Sequence, residues 1–105
     1  MATRIPPMQA LRAFEATART GSLTAAAQAL HLTHGAISHQ IKALEEELGV
    51  ELIARAGRGI RLTDAGERFA LRIRGALADI SAAVREISEA SNPRRLSVSV
   101  VPSAI

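Results

Sequence analysis

The stretch from Leu23 to Gly49, LTAAAQALHLTHGAISHQIKALEEELG, holds two apolar-periodic runs separated only by His31, Leu32 and Thr33. Each run repeats its aliphatic residues at helical spacing. A three-residue break leaves too little chain to lay the second helix flat beside the first, so the two must cross steeply. In the second, Ile37, Ile41, Leu44 and Leu48 fall within about 60° of one another at 3.6 residues per turn, and they are expected to face a core. On the other side lie Gly35, Ser38, His39 and Lys42, flanked by His34 and Gln40, with no aliphatic residue among them.

The flanking chain supplies the rest of a small core. Pro6 and Pro7 suit a helix start, because the first helical position needs no N–H. Leu11, Phe14 and Ala18 then repeat at helical spacing up to Gly21, a C-terminal stop. Ser22 is a good N-cap for the helix Leu23 to Leu30, whose Leu23, Ala26, Ala27 and Leu30 form one stripe. Thr33 caps the next helix, and Gly49 ends it.

After Gly49 the period shortens. The run VELIARAGRGIRL reads as a two-stranded hairpin with Ala56-Gly57-Arg58-Gly59 at its tip; Ile60 and Leu62 point one way and Arg61 the other. Thr63 then caps a long helix, with Asp64 and Glu67 complementing its positive end. Asn92-Pro93 is expected to stop it. From Leu96 to Val100 apolar and small polar residues alternate, which reads as one strand at the start of a further domain.

The 105 residues contain no cysteine, which excludes disulfides and thiolate metal sites. No apolar run reaches the ~20 residues of a membrane span, and no signal-peptide core opens the chain. The expectation is a soluble, cytoplasmic, nucleoid-associated protein without a membrane partner. Net charge is +3, and Lys42 is the single lysine among 13 basic residues. Three arginines, Arg55, Arg58 and Arg61, cluster in the hairpin, whereas Glu45, Glu46 and Glu47 form an acidic block at the end of the preceding helix.

Three helices with a tight central turn and a basic hairpin make a mainly α, winged helix-turn-helix. Residues 6–63 form this unit, with the helix-turn-helix over 23–42, followed by a linker helix over 64–92 and the start of a truncated domain over 93–105. An α-helix fits the DNA major groove, and a helix-turn-helix inserts its second helix by the N-terminal end. That end carries Thr33, His34, Gly35, Ser38 and His39; the glutamates at the other end would be repelled by phosphates. His34, Gly35, Ser38 and His39 are the candidate base contacts. Ser22, Thr24, Thr33, Gln40 and Lys42 are the candidate backbone contacts, Ser22 and Thr24 because they begin a helix whose free N–H groups suit phosphate. Arg55, Arg58 and Arg61 are assigned to the wing, with Arg58 between two glycines that let the backbone approach a narrow minor groove.

Other chemistries fit poorly. His34 and His39 lie about 140° apart on a helix and do not converge on a metal. Ser38 and His39 are adjacent and do not face each other, so they form no nucleophile–base pair. No paired acid and base and no cofactor loop is present, so an enzyme is not expected. A protein-binding face would carry aromatic or Met anchors, and this one has none.

The motifs ALRAFEATARTGSLTAAAQALHLTHGAISHQIKALEEELG and LIARAGRGIRLTDAGE resemble the N-terminal half of LysR-type transcriptional regulators, over the first ninety or so positions. IPPMQALRAFEA, SHQIKALE and LSVSVVPSAI look closest to the glycine-cleavage-operon activator subgroup. The resemblance implies that His34, Gly35, Ser38 and His39 fall on base-contacting positions and Arg55 on the wing position that contacts DNA. It also implies a two-lobed effector domain in the full-length protein, with Ser103 at a position that often lines its pocket. A small-molecule effector is thus expected only there, with no cofactor in this chain. Three positions depart from the pattern: Gly35 stands where many relatives have Pro or Ala, His39 where many have Arg, and Ile53 where Phe is usual.

Ala70, Ile73, Leu77, Ile80, Val84 and Ile87 repeat at three, four, three, four and three, a heptad stripe that marks a coiled-coil seam. The expected helix of about 28 residues, about 42 Å long, is too long to be covered by a three-helix body. A homodimer seam of Ile73, Leu77, Ile80, Val84 and Ile87 is therefore expected. The resemblance implies antiparallel pairing, an interrupted palindromic operator in double-stranded DNA, and tetramers at full length.

Overall fold

The computed structural model describes residues 4–90. The expected stop at Asn92-Pro93, the strand from Leu96 to Val100 and the position of Ser103 lie outside the described residues. Two compact units divide the chain, Met1–Arg74 and Gly75–Ile105. The order of elements is α1 (Met8–Thr20), α2 (Leu23–Leu30), α3 (His34–Leu48), β1 (Ile53–Ala56), β2 (Gly59–Leu62) and α4 (Asp64–Ala90). It is the expected mainly helical, winged arrangement.

Local hydrogen bonding sets the helix boundaries. Pro7 stands just outside α1, and its carbonyl accepts from the N–H groups of Ala10 and Leu11. Ser22 Oγ accepts from Ala25 N–H at 3.1 Å, and Thr33 Oγ1 from Ala36 N–H at 3.0 Å. Thr63 Oγ1 does the same for Gly66 N–H at 3.0 Å. Each occupies a donor that a helix start would otherwise leave open. Gly21 and Gly49 both adopt φ 72°, the left-handed stop.

The turn between α2 and α3 closes in the same way without a glycine. His31 takes φ 58°, and Leu32 N–H donates to Ala27 O at 2.8 Å. That six-to-one bond folds the chain back within three residues. His31 is thus a turn residue, in a conformation that histidine adopts more readily than most side chains.

The core of the first unit gathers one face from each helix. Phe14, Thr17, Ile37, Ile41, Leu44 and Leu52 are fully buried. Burying an Ile, Leu or Phe side chain contributes roughly 1.5–3 kcal/mol each. Thr17 fits among them because its hydroxyl donates to Ala13 O at 2.9 Å, one turn back. Phe14 of α1 stacks on Phe69 of α4 with ring centroids 5.7 Å apart. Leu48 departs from the expectation. It continues the stripe of Ile37, Ile41 and Leu44 but is exposed, because the last turn of α3 runs past the edge of the core. Leu52, just before the wing, fills the core instead.

The heptad stripe is not uniform. Ala70 is 4% exposed and Ile73 packs against the core of the first unit. Farther along α4, Ile80, Val84 and Ile87 are 46%, 59% and 69% exposed. The stripe is thus in use at its start and open toward its end, with Leu77 partly buried between.

Candidate nucleic-acid interface

Within α3 the side chains sort by angle. Gly35, His39 and Lys42 lie within about 60° of one another, and all three are exposed. Ser38 and Gln40 sit at the two edges of this face and are half-buried. His34 lies within about 40° of Ser38 and Ile41 and about 140° from His39. It is exposed because it opens the helix, but it projects on the inward-turning side. The expected group of four base contacts therefore divides into an outward pair, Gly35 and His39, and a lateral pair, His34 and Ser38.

A cleft runs from the start of the helix-turn-helix to the wing. Ser22, Thr24, His34, Arg55 and Arg58 line it, with Gly21, Gly59 and apolar atoms completing the wall. Three segments that are far apart in sequence meet here.

The wing is a regular antiparallel pair with Ile53 opposite Leu62, Ala54 opposite Arg61, Arg55 opposite Ile60 and Ala56 opposite Gly59. Directly paired residues share a face of a sheet and neighbours along a strand alternate. Arg55 therefore lies on the face of Ile53, Ile60 and Leu62, whose aliphatic side chains pack against the core. Arg61 lies on the other face. The sequence grouped these arginines, and the register separates them.

The wing root carries two residues that the sequence reading missed. Glu45 was read from the sequence only as part of the acidic block that ends α3. Its carboxylate instead accepts from the N–H groups of Leu52 and Ile53, at 2.8 and 3.2 Å, and so ties the end of α3 to the first strand. Glu46 and Glu47 are exposed, and Glu47 faces Arg4 at 3.9 Å. The other missed residue is Gly66. A Cβ there would run into the carbonyl of Leu52. That carbonyl also accepts from Thr63 N–H at 3.0 Å, and Thr63 Oγ1 donates to Glu51 O at 2.7 Å. The end of α3, the wing and α4 thus meet at Leu52. A glycine in the first turn of a helix was the one available signal for this close approach.

Among the described residues no group of His, Cys, Asp or Glu is placed to hold a metal ion, and no helix is long and apolar enough to cross a membrane.

A helix with an exposed polar N-terminal face, backed by a second helix across a tight turn and flanked by a cationic hairpin, defines a winged helix-turn-helix of the DNA-binding class. Residues 8–67 match the family described as "Bacterial regulatory helix-turn-helix protein, lysR family". The chain belongs to this LysR family of DNA-binding regulators. It is 42% identical over 103 residues to the glycine cleavage system transcriptional activator of Escherichia coli K12, covering 98% of this chain and 34% of that protein. It is 52% identical over 69 residues to the HTH-type transcriptional regulator TrpI of Pseudomonas aeruginosa, covering 66% of this chain and 23% of TrpI. The chain thus spans about a third or less of these relatives' lengths. Among solved structures, the BenM_DBD/catB site 1 DNA complex superposes with a TM-score of 0.77 at 30% identity, covering 81% of this chain and 94% of that one. The CbnR_DBD-DNA complex gives 0.70 at 38% identity, covering 81% and 97%.

Proposed function

We propose that this chain is the sequence-specific, double-stranded DNA-binding head of a bacterial transcriptional regulator and works as a homodimer. The N-terminal end of α3 enters the major groove, with Gly35, Ser38 and His39 against base edges. Thr33, Gln40 and Lys42 hold the flanking backbone, as do Ser22 and Thr24 at the start of α2. The wing tip at Arg58 reaches the adjacent minor groove. Exposed Ile80, Val84 and Ile87 pair with a second copy, so that two heads address an interrupted palindrome. For a full-length protein of the relatives' size, the same reading includes a small-molecule effector and tetramer formation, with no cofactor in this chain.

The observation that carries this reading is the polarity of α3. Its exposed N-terminal face presents hydroxyl, imidazole and ammonium groups and no carboxylate, while Glu45, Glu46 and Glu47 all sit at the opposite end. The fold also superposes on structures solved as DNA complexes, which supports DNA binding as the role of this head.

Fluorescence anisotropy of a labelled duplex between about 50 and about 200 mM salt tests it. The affinity should fall steeply, with a log–log slope of several units, since each neutralised phosphate contributes about 0.9. No binding at the lower salt, or binding indifferent to salt, contradicts the reading.

A further inference from the structure

We infer that the cleft between the wing and the helix-turn-helix is a seat for one backbone phosphate of the duplex, and that His34 is a ligand of that phosphate rather than a reader of base edges. The inference rests on the DNA-binding reading above and changes the role of a residue that the sequence had grouped with the base contacts.

The cleft has a volume of about 120 Å³ and draws its lining from residues 21–24, 34 and 55–60. Its polar groups are two guanidiniums, one imidazole and two hydroxyls, and no carboxylate lines it. Neither Arg55 nor Arg58 makes an ion pair among the described residues, where the ion pairs involve Arg4, Arg19 and Arg74. Two unneutralised guanidiniums in one cleft repel each other, and an anion between them removes that cost. Guanidinium is also the side chain best shaped for the paired oxygens of a phosphate.

The direction of His34 follows from the helix. It opens α3 on the side of Ile41, about 140° from His39, so it turns toward the wing while His39 and Lys42 turn outward. An imidazole beside Arg55 and Arg58 meets whatever anion they hold. It cannot at the same time reach the base edges that His39 faces. The cleft draws its lining from three segments of the chain, so it fixes the position of the seated phosphate along the strand. Such a contact sets the register of α3 in the groove and carries no sequence information of its own.

A methylphosphonate scan tests the assignment. The duplex recovered by selection from a random pool is made with one neutral methylphosphonate at each position in turn, and binding is measured for the unaltered chain, His34→Ala and His34→Lys. One position should weaken the unaltered chain by tenfold or more and should weaken His34→Ala by roughly tenfold less, the usual size of a hydrogen bond to a charged group, since Arg55 and Arg58 still meet that phosphate in the variant. On unmodified duplexes His34→Ala should lose the same factor on selected and scrambled sequences, and His34→Lys should recover it. Circular dichroism checks that both variants keep the fold. The assignment is overturned by a His34→Ala loss confined to the selected sequence, which makes His34 a base reader. It is overturned equally if no position couples to His34, including the case in which inorganic phosphate alone shifts the His34 ring resonances and the cleft is a free-anion site. Failure of the unaltered chain to bind any duplex at low salt would instead remove the DNA-binding reading itself.

Discussion

Arg55 and Arg61 leave the wing from opposite faces: Arg55 pairs with Ile60 and lines the cleft beside the helix-turn-helix, while Arg61 pairs with Ala54 and faces away from it. Both are exposed, and both were assigned to the wing from their charge and place in the hairpin, Arg55 also by resemblance. Their geometry makes them unequal. Arg55→Ala should weaken binding to selected and random duplexes alike and flatten the salt slope by about one unit. Arg61→Ala should change the slope by less than half as much. Equal slopes for the two variants would mean that the wing contributes only diffuse charge.

Glu45 links α3 to the wing. Its carboxylate takes two backbone N–H groups at the start of β1, and removing it leaves both without a protein acceptor. Glu45→Ala should cost ~1.5–3 kcal/mol in urea unfolding, the range for hydrogen bonds to a charged group. Glu45→Gln keeps an acceptor oxygen and should recover part of this. A loss below about 0.5 kcal/mol in Glu45→Ala would place the carboxylate back among solvated surface groups.

Two glycines in helices should respond with opposite sign to the same substitution. Nothing lies within 4 Å of a Cβ built on Gly35, whereas one on Gly66 meets the Leu52 carbonyl. Gly35→Ala should raise stability by ~0.5–1 kcal/mol through helix propensity, yet lower affinity for the selected duplex by placing a methyl group on the outward face of α3. Gly66→Ala should cost ~1–3 kcal/mol, because backbone must shift to admit the methyl group. Thermal melts and anisotropy on the same samples separate the two effects. Unchanged DNA affinity in Gly35→Ala would move the first turn of α3 out of contact.

The outer stripe of α4 is the proposed dimer seam. Ile80 lies at its centre and is 46% exposed. The chain should sediment as a dimer at micromolar concentration, and Ile80→Glu should yield monomers, because a charge buried in a paired seam lacks a partner. The variant should keep its helical head and bind a half-site weakly while losing most affinity for the full site, since linkage of the heads supplies the difference. An unaltered chain that sediments as a monomer while retaining full-site affinity would contradict this.

Much of the fold was legible because its punctuation is local. Gly21, Ser22, Thr33, Gly49 and Thr63 each act within about four residues, so type and spacing suffice to place them. Ile37, Ile41 and Leu44 were legible from their period, but Leu48 shares that period and is exposed, because periodicity assigns a face and not where the core ends. Glu45 was missed because its partners are seven and eight residues away, across a bend that only the folded chain closes. The helical period already sets His34 apart from His39, but what lies beside each of them, like the division of Arg55 from Arg61, depends on the folded chain and on strand register. Charge and composition carry neither.

Selection of bound duplexes from a random pool tests most directly whether the polar N-terminal face of α3 reads DNA as one of a symmetric pair. The unaltered chain should enrich an inverted repeat of two short half-sites separated by a spacer. His39→Ala should blur the half-site and leave the spacing intact, at a cost of ~1–3 kcal/mol on the original sequence. A pool that stays random after repeated rounds, or that yields a single unrepeated motif unaffected by His39→Ala, would contradict both the reading face and its pairing.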